Sequence, residues 1–236
     1  MPLGFRVYTD IERPAASLID LFESFQSPDI SDVMNRAGTM DSGIRPINTP
    51  AKRIVGPAVT VSAPTGAFNV IKAGMQQTRR GDVLVINARG SLRGALIGGN
   101  VCRGLFHRGL AGVVMDGAVR DIDEVQRDGL AVYARGLSAM MGPIDGPGEV
   151  NVPVACGHVV VNPGDIIVAD ADGIAVVPPD DAEYIAAEAR KLLERYAGPS
   201  VRDVLLRGDV TNIANIERGL REQGCEFIPA ASRTRR

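Results

Sequence analysis

The chain has 236 residues, 45% of them apolar and 23% charged, and a formal net charge of −2. That balance leaves no electrostatic excess to hold a polyanion, and no apolar run reaches the roughly 18 residues of a membrane span, so neither nucleic acid nor membrane is an expected partner. Residues 1–6 lack an apolar leader core, and Cys102, Cys156 and Cys225 are too scattered for a disulfide framework or zinc knuckle, so a cytoplasmic setting is expected.

In chain order, residues 31–38 predict a short helix, capped by Asp29 or Ser31 and stopped by Gly38. From Ile54 to Val177 short apolar runs alternate with turn residues and stretches of helical length, the rhythm of an α/β domain. Residues 59–61, 83–86, 112–115, 159–161, 166–168 and 174–177 are β-branched and short, as strands buried on both faces are. Residues 68–78 and 95–108 read as helices between them. The turn chemistry at 162–165 and 170–173 joins antiparallel strands near the end of the sheet, so the sheet is expected to be mixed. Helical spacing returns at 180–196 and 212–223, with a break at Gly198-Pro199. This divides the chain into a core at 1–178, with N-terminal helices, and a helical extension at 179–236 that packs on the core or on a neighbouring subunit. The basic run 232–236 reads as a solvated terminus.

Residues 109–124 are the richest in chemistry. A helix ends at Gly109, a buried strand follows, and a turn at Asp116-Gly117 would deliver Arg120 and Asp121 past the strand's carboxyl end, where ligand crevices form in open α/β sheets. Arginine offers a planar charged fork for a carboxylate or enolate, and aspartate offers a hard oxygen ligand to a divalent cation. The same pair also reads as a salt-bridged helix start in which Asp121 caps 122–125. Gly90, Gly94, Gly98 and Gly99 crowd the approach to the next helix, which suits either an anion-binding backbone loop or tight strand-to-helix packing. With only His107 and His158 available, a metal site would lean on oxygen, favouring magnesium, manganese or calcium over zinc. His107 lies off the helical face of Cys102, which argues against a Cys-His pair, and His158 beside Gly157 reads as a turn residue. Nucleotide-binding glycine motifs and a Gly-x-Ser-x-Gly elbow are missing, and none of Lys52, Lys72 and Lys191 carries the apolar signature of a Schiff-base lysine.

Gly112-Val113-Val114-Met115-Asp116-Gly117-Ala118-Val119-Arg120-Asp121, together with residues 31–38, 81–85 and 163–173 in that order, resembles the RraA-like family. That family includes 4-hydroxy-4-methyl-2-oxoglutarate aldolases, which also decarboxylate oxaloacetate, and regulators of ribonuclease E activity. The resemblance spans about residues 28–178. It implies a swivelling β/β/α fold assembled as a homotrimer or homohexamer, with active sites at subunit interfaces. It further implies that Arg120 binds the pyruvoyl group, that Asp121 ligates Mg2+ (or Mn2+), and that Gly98, Gly99, Asn100 and Val101 form the loop that cradles pyruvate. Gly99 stands where the aldolases carry an aspartate that holds metal-bound water, and the adjacent Asn100 is a far weaker base. The expected function is therefore a metal-dependent lyase that cleaves 4-hydroxy-2-oxo acids to pyruvate, decarboxylates oxaloacetate, or does both. A non-catalytic regulator of an RNA-processing enzyme and a catalytically silent trimeric scaffold are the other two readings.

Overall fold

Residues 83–86 read Val-Leu-Val-Ile, and in the computed structural model their side chains alternate between two cores. Leu84 and Ile86 join one, Val83 and Val85 the other. A strand with partners on both faces needs no polar alternation, which is why these runs are continuously apolar. The structure describes residues 3–64, 67–197 and 213–228.

The chain opens with β1 (Phe5–Val7), α1 (Ala16–Asp20), α2 (Ser27–Val33) and β2 (Arg45–Pro46). The central run follows as β3 (Ile54–Ser62), α3 (Phe68–Gln77), β4 (Val83–Ile97), α4 (Gly99–Arg108), β5 (Gly112–Val119), α5 (Ile122–Asp128) and β6 (Val132–Leu137). Short strands β7 (Gly148–Val150), β8 (Val154–Cys156), β9 (Val159–Val161), β10 (Ile166–Ala169) and β11 (Ile174–Val177) precede α6 (Ala182–Tyr196) and α7 (Ile213–Glu222). Residues 1–190 form one compact unit and residues 191–236 a second.

Strands β3 to β6 are parallel neighbours, and the sheet runs β1-β7-β3-β4-β5-β6-β2 with β10 and β11 attached through β3. Strands β2, β7 and β10 pair antiparallel with it, so the sheet is mixed, as expected. On one face Val70, Ile71, Cys102, Leu105 and Val125 from the helices pack on Leu84, Ile86, Val113 and Met115. On the other, Cys156, Val161, Ile167 and Val176 cover Val83, Val85, Val114 and Tyr133. The result is a β/β/α layering. Each fully buried aliphatic side chain contributes about 1.5–3 kcal/mol, so the two cores explain why the central strands are fixed in register.

Several local expectations are corrected. The helix foreseen at 31–38 starts earlier, at Ser27, where Gln26 and Asp29 form a reciprocal capping box and Pro28 occupies the first turn. It ends by Val33, and Asn35 and Arg36 then take positive φ of 52° and 69°, before Gly38. Residues 95–97 are strand rather than helix. Ala95 exchanges backbone hydrogen bonds of 2.8 Å with Met140 and Gly142, and Ala95 and Ile97 pair with Ala118 and Val119. The chain does not turn at Asp116-Gly117: β5 runs on to Val119, with a shift in register against β6 between Met115 and Ala118. The bulged second half of β4 supplies the pairing partners that keep it extended, at Ser91↔Gly117 and Ala95↔Ala118.

The antiparallel pair expected around 170–173 is present as β10 and β11, in register Ile166↔Val177 to Ala169↔Ile174, but the turn at 162–165 joins no such pair: β9 bonds only to β8, in a two-stranded sheet that leaves Val160 exposed rather than buried on both faces. The helices foreseen at 68–78, 180–196 and 212–223 are α3, α6 and α7, the second preceded by a 3₁₀ turn at Pro179–Asp181. Gly198-Pro199 and residues 232–236 lie outside the described residues. Among the described residues no helix is long and apolar enough to cross a membrane.

Candidate active site

Strands β4 and β5 end side by side, Ile97 against Val119, and the Arg120 N–H donates to the Ile97 carbonyl at 3.1 Å. Each strand then feeds a helix. The first leads into α4 through Gly98, and the second into α5 through Asp121 in the left-handed region, φ 56° and ψ 46°. Few L-residues other than Asn and Asp tolerate that conformation. The two helix starts therefore face each other, bringing Gly98 and Gly99 against Arg120 and Asp121. The Gly99 N–H donates to Asp121 Oδ2 at 3.2 Å. A Cβ on Gly98 would lie 2.9 Å from Arg120 Cγ and 3.2 Å from Asp121 Cγ, so this close approach requires glycine.

Five of the six expected site residues, Gly98, Asn100, Val101, Arg120 and Asp121, line a cavity of about 190 Å3 walled by Phe68, Leu96 and Met141. Gly99 acts from beside it through its N–H. Asn100 and Val101 lie in the first turn of α4, where helix geometry leaves backbone N–H groups without intrahelical acceptors. Such groups, at the positive end of a ten-residue helix, suit a carboxylate.

The capping alternative for Asp121 meets a specific geometry. Asp121 occupies the N-cap position of α5 but makes no side-chain cap hydrogen bond; its carboxylate reaches across to α4 instead. Its pairing with Arg120 Nε is loose, 3.6 Å, with the side chains 37% and 42% exposed. An ion pair that open adds little stability, and both groups line the cavity.

Glu124 was not among the expected residues. A Cβ on Gly99 would fall 2.6 Å from Glu124 Cβ and 2.9 Å from its Cδ. A carboxylate on α5 thus fills the space a side chain at position 99 would take. Glu124 stands three residues after Asp121, but nothing local marks it, because the space it fills is set by the glycine at 99. Arg103, on α4, reaches the same carboxylate, with Nη2 3.5 Å from Glu124 Oε2.

Asp121 and Glu124 offer only carboxylate oxygens, and among the described residues no group of three or more His, Cys, Asp or Glu side chains gathers to cage an ion. A hard cation that keeps several waters, such as magnesium or manganese, fits such an open pair. Cys102 lies beneath, its thiol pushed up to about 12 by burial first and then by the charges of Asp121 and Asp128. It is a neutral core thiol, not a nucleophile. His107 stands exposed at the other end of α4, edge-on to Phe106. His158, with φ 64° beside Gly157, is the turn residue expected.

His158 lines a second, wider cleft of about 620 Å3 with Asn87, Arg89, Asp116 and Arg135. Its floor is an ion network. Arg135 donates to Asp116 and, at 2.7 Å, to Asp41, while the Gly157 N–H donates to Asp116 at 3.0 Å. These bonds tie β5, β6 and the β8–β9 hairpin together, and the Arg135 contact holds the Asp41 carboxyl below its usual range, helped by the Gly43 N–H.

Several known proteins are similar to this chain in sequence or in fold. The chain is 35% identical over 173 residues to a Halalkalibacterium halodurans protein provisionally named 4-hydroxy-4-methyl-2-oxoglutarate aldolase, spanning 73% of this chain and 82% of the relative. A Thermus thermophilus protein named 4-hydroxy-4-methyl-2-oxoglutarate aldolase is 37% identical over 109 residues, 46% of this chain and 66% of its own. Among solved structures, a Streptomyces coelicolor protein described as an unusual member of the RNase ES inhibitor RraA family superposes with a TM-score of 0.69 at 27% identity, over 80% of this chain and 98% of that one. An RNA-processing inhibitor RraA from Thermus superposes with a TM-score of 0.60 at 31% identity, over 66% and 93%. Residues 27–176 match the family described as RraA-like, aldolase/RraA. With that match covering more than half its length, the chain belongs to the RraA-like family.

Proposed function

We propose that the protein is a divalent-metal-dependent lyase for small 2-oxo acids, cleaving 4-hydroxy-2-oxo acids to pyruvate, decarboxylating oxaloacetate, or both. The observation that carries this reading is the convergence of Arg120, Asp121, the Gly98 backbone and the first turn of α4 on one cavity, with Glu124 filling the space beside Gly99 at its margin. The first-turn N–H groups at Asn100 and Val101 take the substrate's carboxylate. The Arg120 guanidinium faces the keto oxygen and stabilises the negative charge that develops there as a bonding pair collapses into an enolate. In the cleavage this is the C3–C4 pair, with the 4-hydroxyl proton passing to water; in the decarboxylation it is the pair to a carboxylate that leaves as carbon dioxide. A proton from water at C3 then gives pyruvate. Asp121 and Glu124 would hold the magnesium or manganese ion, which supplies Lewis-acid polarisation of the same oxygen when bound. Neither role requires a lysine. Lys52 is engaged with the Gly129 carbonyl at 2.8 Å, and Lys72 lies over the Phe68 ring.

We propose assembly as a homotrimer or homohexamer with the cavity at a subunit boundary. Met141, which lines the cavity, is exposed, as are Met140 and Leu137 nearby in the chain, a cost in water that a neighbouring subunit would remove. The free, buried Cys102 and Cys156 fit a reducing cytoplasm.

Purified protein is given oxaloacetate or 4-hydroxy-4-methyl-2-oxoglutarate with magnesium or manganese, and pyruvate is followed through coupled lactate dehydrogenase. Turnover that EDTA abolishes supports the lyase. No pyruvate from either substrate under saturating metal overturns it and favours the regulator, which the Thermus and Streptomyces RraA likeness keeps in view.

A further inference from the structure

We infer that Arg103 is a positioning residue that holds the Glu124 carboxylate beside Gly99, so that Asp121 and Glu124 present a preformed pair to the cation. The inference rests on the lyase reading above and assigns a role to a side chain that touches neither substrate nor cavity.

Arg103 lies one helical turn beyond Gly99 on α4 and bridges to α5. Its Nε donates to Asp128 Oδ2 at 2.9 Å, its Nη2 stands 3.5 Å from Glu124 Oε2, and its Nη1 reaches Asn100 Oδ1 at 3.4 Å. Glu124 and Asp128 are four residues apart, so both face α4. The Asp128 side chain is only 14% exposed and anchors the guanidinium, whereas Arg103 and Glu124 are each 41% exposed. Contacts that open contribute little to folding, so what Arg103 does for Glu124 is orientation. A glutamate carries large rotamer freedom, and without the guanidinium its carboxylate would sample solvent and would have to be immobilised each time a cation bound.

A cation beside a metal site also repels the metal, and this effect opposes the first. Asp128 cancels it: the Arg103–Asp128 pair is neutral at 2.9 Å, and what remains at longer range is screened by salt. Removing Arg103 alone would leave Asp128 balanced only by the looser, exposed Arg127, 3.8 Å away, so that part of its charge would attract the metal and mask the loss of orientation. The charge-balanced variant Arg103→Met/Asp128→Asn isolates the positioning effect.

Mn2+ binding to the full-length protein is measured by calorimetry in 0.3 M salt, with thermal midpoints recorded for every variant to verify folding. The expected result is Mn2+ affinity about tenfold weaker for R103M/D128N, the scale typical of groups that orient metal ligands. Arg103→Lys should recover part of the affinity because a single ammonium reaches one carboxylate but lacks the fork. In a Glu124→Gln background, R103M/D128N should cause no further loss, because its effect passes through that carboxylate. Wild-type affinity in R103M/D128N, or an equal loss in the E124Q background, overturns the role of Arg103 and leaves the lyase standing. Wild-type protein that binds no Mn2+ overturns the metal-dependent lyase and this inference together.

Discussion

Alanine at position 99 tests the relation between Gly99 and Glu124 directly. Gly99 opens α4 without positive φ, so on backbone grounds alone Gly99→Ala should stabilise the protein by about 0.4–1 kcal/mol. The packing predicts the opposite. The new methyl would lie 2.6 Å from Glu124 Cβ, an atom fixed to the α5 backbone that no side-chain rotation can move away. Relief requires α4 and α5 to shift apart, and such overpacking costs about 1–3 kcal/mol. The net expectation is destabilisation of about 1–2 kcal/mol, or about 2–8 °C in thermal midpoint at about 2–4 °C per kcal/mol for a chain of this size. Glu124→Ala in the same background should recover only part of this, because the Cβ remains; Glu124→Gly should recover most of it. Urea or thermal unfolding of G99A, E124G and the double variant gives a coupling energy, expected at about 1–3 kcal/mol. A G99A protein as stable as wild type, or fully additive variants, would refute the claim that Glu124 fills the space of a side chain at 99. In the same series Gly99→Asp/E124G, which returns a carboxylate to α4, should bind Mn2+ more tightly than E124G alone.

Four further outcomes follow from the same geometry. Asp121→Asn, which tolerates the left-handed backbone, should lower Mn2+ affinity at least about tenfold and abolish oxaloacetate turnover while leaving the thermal midpoint nearly unchanged. Arg120→Met should cut kcat by about 10²–10³ with Mn2+ binding retained, because its guanidinium faces developing charge. Asp41, its carboxyl held below the usual range, contributes stability that is present above the ordinary aspartate value and lost as pH falls through the lowered one. Below about pH 4 the wild type should therefore lose an increment of stability that Asp41→Asn lacks, read from unfolding midpoints across the acid range. At pH 8 a thiol reagent should modify exposed Cys225 in the native protein but not buried Cys102 or Cys156.

The central strands were readable because burial on both faces writes itself as unbroken apolar runs, as at 83–86 and 112–115. Their limits were not. Beyond Asn87, β4 passes through exposed Arg89, Ser91, Leu92 and Arg93, which carry no strand pattern; the backbone of β5 and the 140–142 segment hold it extended. Asp116-Gly117 carries the local chemistry of a turn, yet Arg135, from the next strand, takes the Asp116 carboxylate and the bulged β4 pairs Gly117. In both places a distant partner overrides the local preference. The placement of Arg120 and Asp121 at a strand end beside a cavity was readable because the ends of parallel strands are where crevices form. Glu124 was not, although it stands in the same segment, because its importance depends on a missing side chain on another helix.

That dependence explains how such a site can change its carboxylate donor without changing its fold. Strands β4 and β5 are adjacent and parallel, so the two helices that follow them start side by side, and Arg120 N–H to Ile97 O fixes their offset. A side chain at the first position of α4 and one in the first turn of α5 then compete for a single volume. Only one can occupy it, and that volume lies beside Gly99, whose N–H donates to Asp121 Oδ2. In this chain α4 gives up the side chain and α5 supplies it. On the proposed function, a glycine at 99 therefore does not by itself silence the site, which weakens the argument for the scaffold reading. The question for activity becomes whether a longer glutamate, which brings more rotamer freedom than an aspartate, is held still enough to serve.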